Sequence, residues 1–263
     1  MLTLKKSLGQ NLLVDKNIIF KILNLVKIKD KNILEIGPGT GNLTKYILEK
    51  KPKKLFLVEK DKRLCEVLKS ELNNIKNCKI YNEDILKFNL NSIKKNEIIF
   101  GNLPYNISTQ ILAKFVKFDK FHSQIERIVF MFQKEVADRI LAKPCNKDYS
   151  RITILVNFKF DIIQNFKVSK ECFFPSPKVD SKIIAFKPKS KIKYKIKNIE
   201  NLEKITQIFF SGKRKMINKP FAKIFKNYKE IARSLNINLN KRPSELSCEN
   251  FYEITEIYEK MID

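Results

Sequence analysis

From about Lys31 to Gln133, short apolar, β-branched runs alternate with amphipathic stretches. The runs Asn32–Ile36, Leu55–Glu59, Lys79–Tyr81, Glu97–Phe100 and Arg127–Phe132 predict strands. Leu43–Glu49, Lys62–Leu72, Ile107–Phe115 and Lys134–Leu141 predict helices between them. Strands alternating with helices in this way are the signature of a parallel sheet with helices on both faces. Tyr149–Phe158 fits two states, because its β-branched residues favour a strand while its length and position suit a helix. Two further strands near Ile162–Val168 and Val179–Phe186 would complete this α/β domain.

At Lys187 the pattern changes. From Lys187 to Lys197 a lysine stands at every second position, with Pro188 near the start. The segment reads as a solvated, self-repelling linker or edge strand rather than as a dedicated binding stripe. Helical patterns follow at Asn201–Phe210, Lys219–Phe225, Lys229–Leu235 and Asn250–Met261. The division is therefore residues 1–188 as one domain with an N-terminal arm, and 189–263 as a small all-α domain.

Composition narrows the function classes. With 263 residues, 43% of them hydrophobic, the chain can bury a sizeable core plus an appendage. Lysines interrupt every apolar stretch well short of the ~18 residues of a membrane span. The N-terminus is basic with no apolar segment behind it, so no signal peptide is expected, and the expected location is cytoplasmic. The five cysteines are scattered and never spaced as CxxC. That suits a reducing compartment and gives no metal site. His122 is the sole histidine, which makes Ser-His chemistry or a histidine zinc site improbable.

The balance of 53 basic against 28 acidic residues gives a net charge of +25. Such a charge attracts polyphosphate backbones, with an affinity that falls as salt rises. Only seven of the basic residues are arginine, and abundant Lys, Asn and Ile fit an AT-biased genome. Acidic residues did not rise with that bias, so the charge is read as functional.

Candidate chemistry starts where the first strand ends, at Glu35-Ile36-Gly37-Pro38-Gly39-Thr40-Gly41. Glycines at a strand-to-helix turn let the backbone approach a ligand and adopt positive φ without strain. The spacing is GxGxG, with Asn42 where a dinucleotide fingerprint has its third glycine. Glu59 ends the second strand, where a carboxylate can accept both ribose hydroxyls of a nucleoside, at roughly 1.5–3 kcal/mol per charge-assisted bond. Asp84 follows the third strand, within reach of an adenine amine. No lysine-bearing phosphate loop occurs. A nucleoside cofactor with little phosphate points to S-adenosylmethionine over NAD.

Asn102-Leu103-Pro104-Tyr105 closes the fourth strand. The exocyclic amine of adenine is a poor nucleophile, because its lone pair is delocalised into the ring. Two acceptors on its hydrogens, the Asn102 carboxamide oxygen and the Leu103 carbonyl, would draw the nitrogen toward tetrahedral geometry and aim its lone pair at a methyl donor. Tyr105 offers a face for stacking, and such a base must first be swung out of its helix.

In this order the motifs resemble, nearly end to end, the family of small-subunit (16S) ribosomal-RNA adenine N6,N6-dimethyltransferases. The resemblance rests on Lys6-Ser7-Leu8-Gly9-Gln10-Asn11-Leu12-Leu13, the glycine loop, Gly101 to Ser108, Phe132-Gln133-Lys134-Glu135-Val136-Ala137, and Phe173-Phe174-Pro175-Ser176-Pro177-Lys178-Val179-Asp180-Ser181. It implies a Rossmann-like methyltransferase sheet, seven-stranded and mostly parallel, with a C-terminal all-α domain that binds rRNA. It implies cofactor contacts from Asn11, Leu13, Gly37, Gly39, Glu59, Asp84 and Asn102, and catalysis by Asn102, Leu103, Pro104 and Tyr105. The target adenine would lie between Tyr105 and Phe173. The implied reaction is dimethylation of two adjacent adenosines near the 3′ end of small-subunit rRNA by a monomer, as part of small-subunit assembly, with no metal. Leu12 departs from the family, which usually carries phenylalanine there. Asn11 and Leu13 rest on the resemblance alone, since nothing in the sequence explains why a basic arm would fold over a cofactor.

Two rivals are weighed against this. A large-subunit (23S) rRNA adenine N6-methyltransferase shares the glycine loop and the Asn-Leu/Ile-Pro-Tyr motif. Phe209-Phe210-Ser211-Gly212-Lys213-Arg214-Lys215 and Arg242-Pro243-Ser244-Glu245-Leu246-Ser247 resemble the small-subunit enzymes instead. A non-catalytic ribosome-assembly factor on the same fold would need neither Glu59 and Asp84 nor the Asn102–Tyr105 set.

Overall fold

The computed structural model of the chain describes residues 11–92 and 97–262. The segment Lys6 to Gln10 of the N-terminal motif lies outside the described residues. Nine strands are formed among the described residues: β1 (Leu12–Leu13), β2 (Asn32–Ile36), β3 (Lys54–Glu59), β4 (Cys78–Asn82), β5 (Glu97–Asn102), β6 (Ile125–Gln133), β7 (Phe160–Val168), β8 (Phe173–Phe174) and β9 (Ser181–Pro188). Seven of them build one sheet in the order β4-β3-β2-β5-β6-β9-β7, while β1 and β8 pair separately. The pairs from β4 through β6 are parallel, and β9 runs antiparallel to β6.

Residues group into two compact units. The first comprises residues 1–137 and 161–188, and the second residues 138–160 and 189–263. Asp138–Phe160, which the sequence pattern leaves in the first domain, thus belongs with the C-terminal helices.

The sheet forms the centre of the first unit. Ile33, Leu34 and Ile36 of β2, like Ile98, Ile99 and Phe100 of β5, are at most 1% exposed. Near-continuous burial along a strand is what coverage of both sheet faces produces. Each such side chain contributes about 1.5–3 kcal/mol relative to an exposed one. The flanking helices are α1 (Lys16–Leu23), α2 (Thr44–Glu49), α3 (Lys62–Glu71), α4 (Ser108–Lys117), α5 (Phe121–Gln124) and the start of α6 (Lys134–Leu141). Two of them begin on an aspartate cap, where Asp15 accepts from Ile18 N and Asp61 from Arg63 N. The sequence reading assigned no element to α1, although Ile18, Ile19, Ile22 and Leu23 stand at helical spacing.

In the second unit, α7 (Arg151–Lys159) resolves the ambiguous stretch as a helix. Ile154, Leu155, Val156 and Phe158 are all buried, so the helix is apolar around most of its circumference. That is why it lacks a clear helical period. Against it pack α8 (Ile199–Phe210) and α11 (Cys248–Ile262), with α9 (Asn218–Ile224) and α10 (Tyr228–Ser234) completing the unit. Phe209 sits at the centre, its ring 5.4 Å from those of both Phe221 and Phe251 in edge-on contact.

Residues 189–198 contain no regular strand. They are also not a loose linker, because α11 side chains hold their backbone: Glu256 accepts from Lys195 N, and Glu259 from Lys197 N and Asn198 N. No helix among the described residues is long and apolar enough to cross a membrane.

Candidate active site

The parallel strands β2, β3 and β5 end side by side, with Ile36 opposite both Val58 and Gly101. Loops leaving these ends surround a cavity of about 210 Å3. In open α/β sheets this edge is where ligands bind. Asn11, Leu13, Gly37, Gly39, Glu59, Asp84, Asn102 and Pro104 all line it. Asn11 and Asn102, 91 positions apart, are thereby brought together.

The glycine loop fits closely. Gly37 and Gly39 have φ of 65° and 62°, in the left-handed region that favours glycine. A Cβ on Gly39 would also lie 2.7 Å from the Leu12 side chain, so the arm packs directly over this residue. Glu59 locks the loop to β3: its Oε2 accepts from Gly39 N at 3.2 Å and its Oε1 from Asp61 N at 2.9 Å. Burial pushes the Glu59 carboxyl above its usual range, although these backbone N–H groups pull it back down. The carboxylate lines the cavity and retains some acceptor capacity there. Asp84 accepts from Lys60 Nζ at 2.8 Å and Leu86 N at 2.9 Å, and the ammonium holds its carboxyl below the usual range.

The structure supplies what the sequence could not, a reason for the arm to fold over the cavity. Asn42 Nδ2 donates to Leu13 O, and Asn102 Nδ2 donates to Asn11 O, both at 2.9 Å. One carboxamide comes from the glycine loop and the other from the Asn102–Tyr105 loop. Beyond them, β1 pairs with β8 in the register Leu12 to Phe174 and Leu13 to Phe173. Because Asn102 Nδ2 faces a carbonyl, its Oδ1 must be the end left for another donor.

Leu103 is buried beneath the loop, while Pro104 faces the cavity. Tyr105 is half-buried, and its hydroxyl shares a 2.8 Å hydrogen bond with Ser181 Oγ on β9. Burial raises the Tyr105 phenol above its usual range.

Phe173 is placed differently from the expectation of an open stacking ring. It is 4% exposed and belongs to the core that holds Leu13, Val168 and Ile183. Successive side chains on a strand face opposite ways, and directly paired residues share a face. The Leu13–Phe173 pair therefore enters the core, and the Leu12–Phe174 pair lies on the other face. Phe174 is 68% exposed.

A second residue also escaped the sequence reading. Glu35 on β2 is 2% exposed and lines the cavity, with Thr44 Oγ1 donating to its Oε2 at 2.7 Å. Burial pushes its carboxyl up to about 8. Its signal was a lone carboxylate inside the apolar run Ile33-Leu34-Glu35-Ile36.

The cavity suits a nucleoside with a cationic sulfonium. It combines apolar walls such as Val58 and Ile85 with the carboxylates of Glu59 and Asp84, and Lys60, the one cation that lines it among the described residues, is already paired. Among the described residues no group of three His, Cys, Asp or Glu is placed to hold a metal ion.

Comparison with known proteins agrees with this geometry. The family model described as ribosomal RNA adenine dimethylase matches residues 1–260. The Ribosomal RNA small subunit methyltransferase A of Pelagibacter ubique is 45% identical over 258 residues, covering 98% of this chain and 97% of that protein. The protein of the same name from Francisella tularensis subsp. novicida is 38% identical, covering 95% of each. A crystal structure of a dimethyladenosine transferase from Plasmodium falciparum superposes with a TM-score of 0.77 at 29% identity, covering 95% of this chain and 98% of that one. With a family match from end to end and the cavity, glycine loop and Asn102–Tyr105 loop assembled at one sheet edge, the chain belongs to the ribosomal RNA adenine dimethylase family.

Proposed function

We propose that this protein uses S-adenosylmethionine to dimethylate N6 of two adjacent adenosines near the 3′ end of small-subunit rRNA. It acts as a cytoplasmic monomer during small-subunit assembly. The observation that carries the reading is the position of Asn102, at the cavity wall with its carboxamide oriented by Asn11 O.

When bound, S-adenosylmethionine supplies an electrophilic methyl group. Glu59 accepts its ribose hydroxyls and Asp84 its adenine amine, while the arm closes over it through Asn11 and Leu13. Asn102 Oδ1 and the Leu103 carbonyl hold the two hydrogens of the target amine and so direct its lone pair. Neither group is a strong base, so the residues act by orientation. Pro104 fixes the loop that presents Tyr105, whose hydroxyl is tied to Ser181 and whose ring stacks on the extruded base. The short strand Phe173–Phe174 forms the opposite wall.

The test is incubation with isotopically labelled S-adenosylmethionine and undermethylated small or large ribosomal subunits, followed by nucleoside identification. Dimethyladenosine confined to small-subunit rRNA is the expected product. Label in large-subunit rRNA would indicate the sister activity, and no cofactor consumption would indicate an assembly factor without catalysis.

A further inference from the structure

The alternating lysines after β9 form an ordered structure. Lys189 N donates to Lys159 O at the end of α7, anchoring the start of the segment. Its far end is fixed to α11, where Glu256 Oε1 accepts from Lys195 N at 2.5 Å and Glu259 Oε2 from Lys197 N at 2.7 Å. Glu259 Oε1 also accepts from Asn198 N at 3.0 Å and Asn201 Nδ2 at 2.8 Å, and Glu259 is buried. These two carboxylates thus engage backbone N–H groups, as a neighbouring strand's carbonyls would in a sheet.

The pinning sorts the side chains. Ile192, Tyr194 and Ile196 are half-buried, with the Tyr194 ring 5.1 Å from that of Tyr252. Lys191, Lys193 and Lys195 are exposed, and none of the three has an acidic partner among the described residues. Lys193 Nζ rests 5.5 Å from the Tyr194 ring centroid, a contact that leaves its N–H groups available. The backbone bends at Tyr194, between Lys193 and Lys195. The result is three exposed like charges on a short segment whose two ends are held by hydrogen bonds to α7 and α11.

We propose that Lys191, Lys193 and Lys195 form a preorganised comb that binds the RNA phosphate backbone, as part of the substrate contact of the rRNA methyltransferase described above. Three neighbouring ammonium groups without acidic partners among the described residues attract a chain of phosphates. Lysine acts as a point charge and reads no base edges, so the comb adds affinity and register without sequence preference. Holding the backbone ends in advance lowers the part of the ordering cost that a flexible segment would meet on binding.

The experiment measures equilibrium binding to unmethylated small-subunit rRNA across a salt series for the full chain. Three variants are compared with the parent. One carries Lys→Gln at 191, 193 and 195, one carries Lys→Arg at the same positions, and one carries Lys→Gln at the exposed positions 27, 29 and 53. Each released phosphate contact contributes about 0.7–0.9 to the slope of log K against log salt, so the comb Gln variant should lose about 2–3 from that slope. The Arg variant and the remote Gln variant should keep the parent slope, and unrelated RNA should show the same loss. Thermal melting and cofactor calorimetry, expected to match the parent, confirm that the variants are folded. An unchanged slope in the folded comb Gln variant, or an equal loss in the remote one, overturns the comb. Methyl transfer by the parent is scored separately. If it is absent while the comb effect persists, the methyltransferase reading falls and the comb stands as an RNA-binding surface.

Discussion

Asn102 Nδ2 donates to Asn11 O across 2.9 Å, joining residues 91 positions apart in the chain. One side chain thus holds the arm with its nitrogen and, in the proposed mechanism, meets the target amine with its oxygen. Asn102→Ala should slow single-turnover methyl transfer by about 10²–10³-fold, the usual cost of losing one polar group placed for the transition state. Asn42→Ala releases only the Leu13 end of the arm. It should weaken cofactor binding by about 1 kcal/mol and leave transfer at saturating cofactor near the parent rate. Equal effects of both variants on transfer at saturating cofactor would contradict the division of roles.

Glu59 holds the glycine loop and faces the cavity. Glu59→Ala should weaken S-adenosylmethionine binding by about 1.5–3 kcal/mol in calorimetry. Because burial raises the Glu59 carboxyl, its protonation begins at a higher pH than for an exposed glutamate. Cofactor affinity should therefore decline earlier on acidification than the ordinary carboxylate range would dictate, and Glu59→Gln should flatten that decline.

Glu35 couples stability to pH. Its carboxyl is raised from 4.5 to about 8, so between those values the folded chain keeps a proton that the unfolded chain has lost. Stability contributed by this group is complete below the lower value and is lost as pH rises through the upper one. The full change is roughly 4–5 kcal/mol as an upper bound. Glu35→Gln keeps an acceptor for Thr44 and should remove most of this dependence in denaturant melts from pH 5 to 9. A parent stability that is flat or rising across that window would refute the assignment.

Phe173 and Phe174 separate packing from contact with RNA. Phe173→Ala should cost about 3–5 kcal/mol of stability, as for other large buried rings. Phe174→Ala should change stability by no more than about 0.5 kcal/mol. If its ring stacks on RNA, the same variant should slow transfer or weaken RNA binding by ~1–3 kcal/mol. A Phe174→Ala protein with parent activity would leave Tyr105 as the only aromatic contact to the base.

The sheet was legible in the sequence because its central strands, β2, β3, β5 and β6, are largely buried and rich in apolar, β-branched residues. Asn32–Ile36 is reproduced to the residue, and the other strands of the parallel set differ by no more than two residues at either end. The cavity was legible because glycines, carboxylates and the Asn102–Tyr105 motif sit at strand ends, where backbone geometry restricts what can stand. What the sequence hid depends on partners distant in the chain. The Asn42 and Asn102 bonds to the arm, the burial of Phe173 behind Phe174, and the transfer of residues 138–160 to the helical unit have no local signature. The lysine segment misled for a related reason: its alternation is that of a strand, but its backbone partners are glutamate side chains on α11.

The pairing of β2 with β5 places Ile36 directly opposite Gly101. The loop proposed to receive the methyl donor and the loop proposed to receive the acceptor therefore leave neighbouring strands. That separation is the ~4.8 Å interstrand repeat of a hydrogen-bonded sheet, which no loop sequence can alter. The surrounding helices and loops can consequently vary in length and composition without moving the points from which these two loops depart.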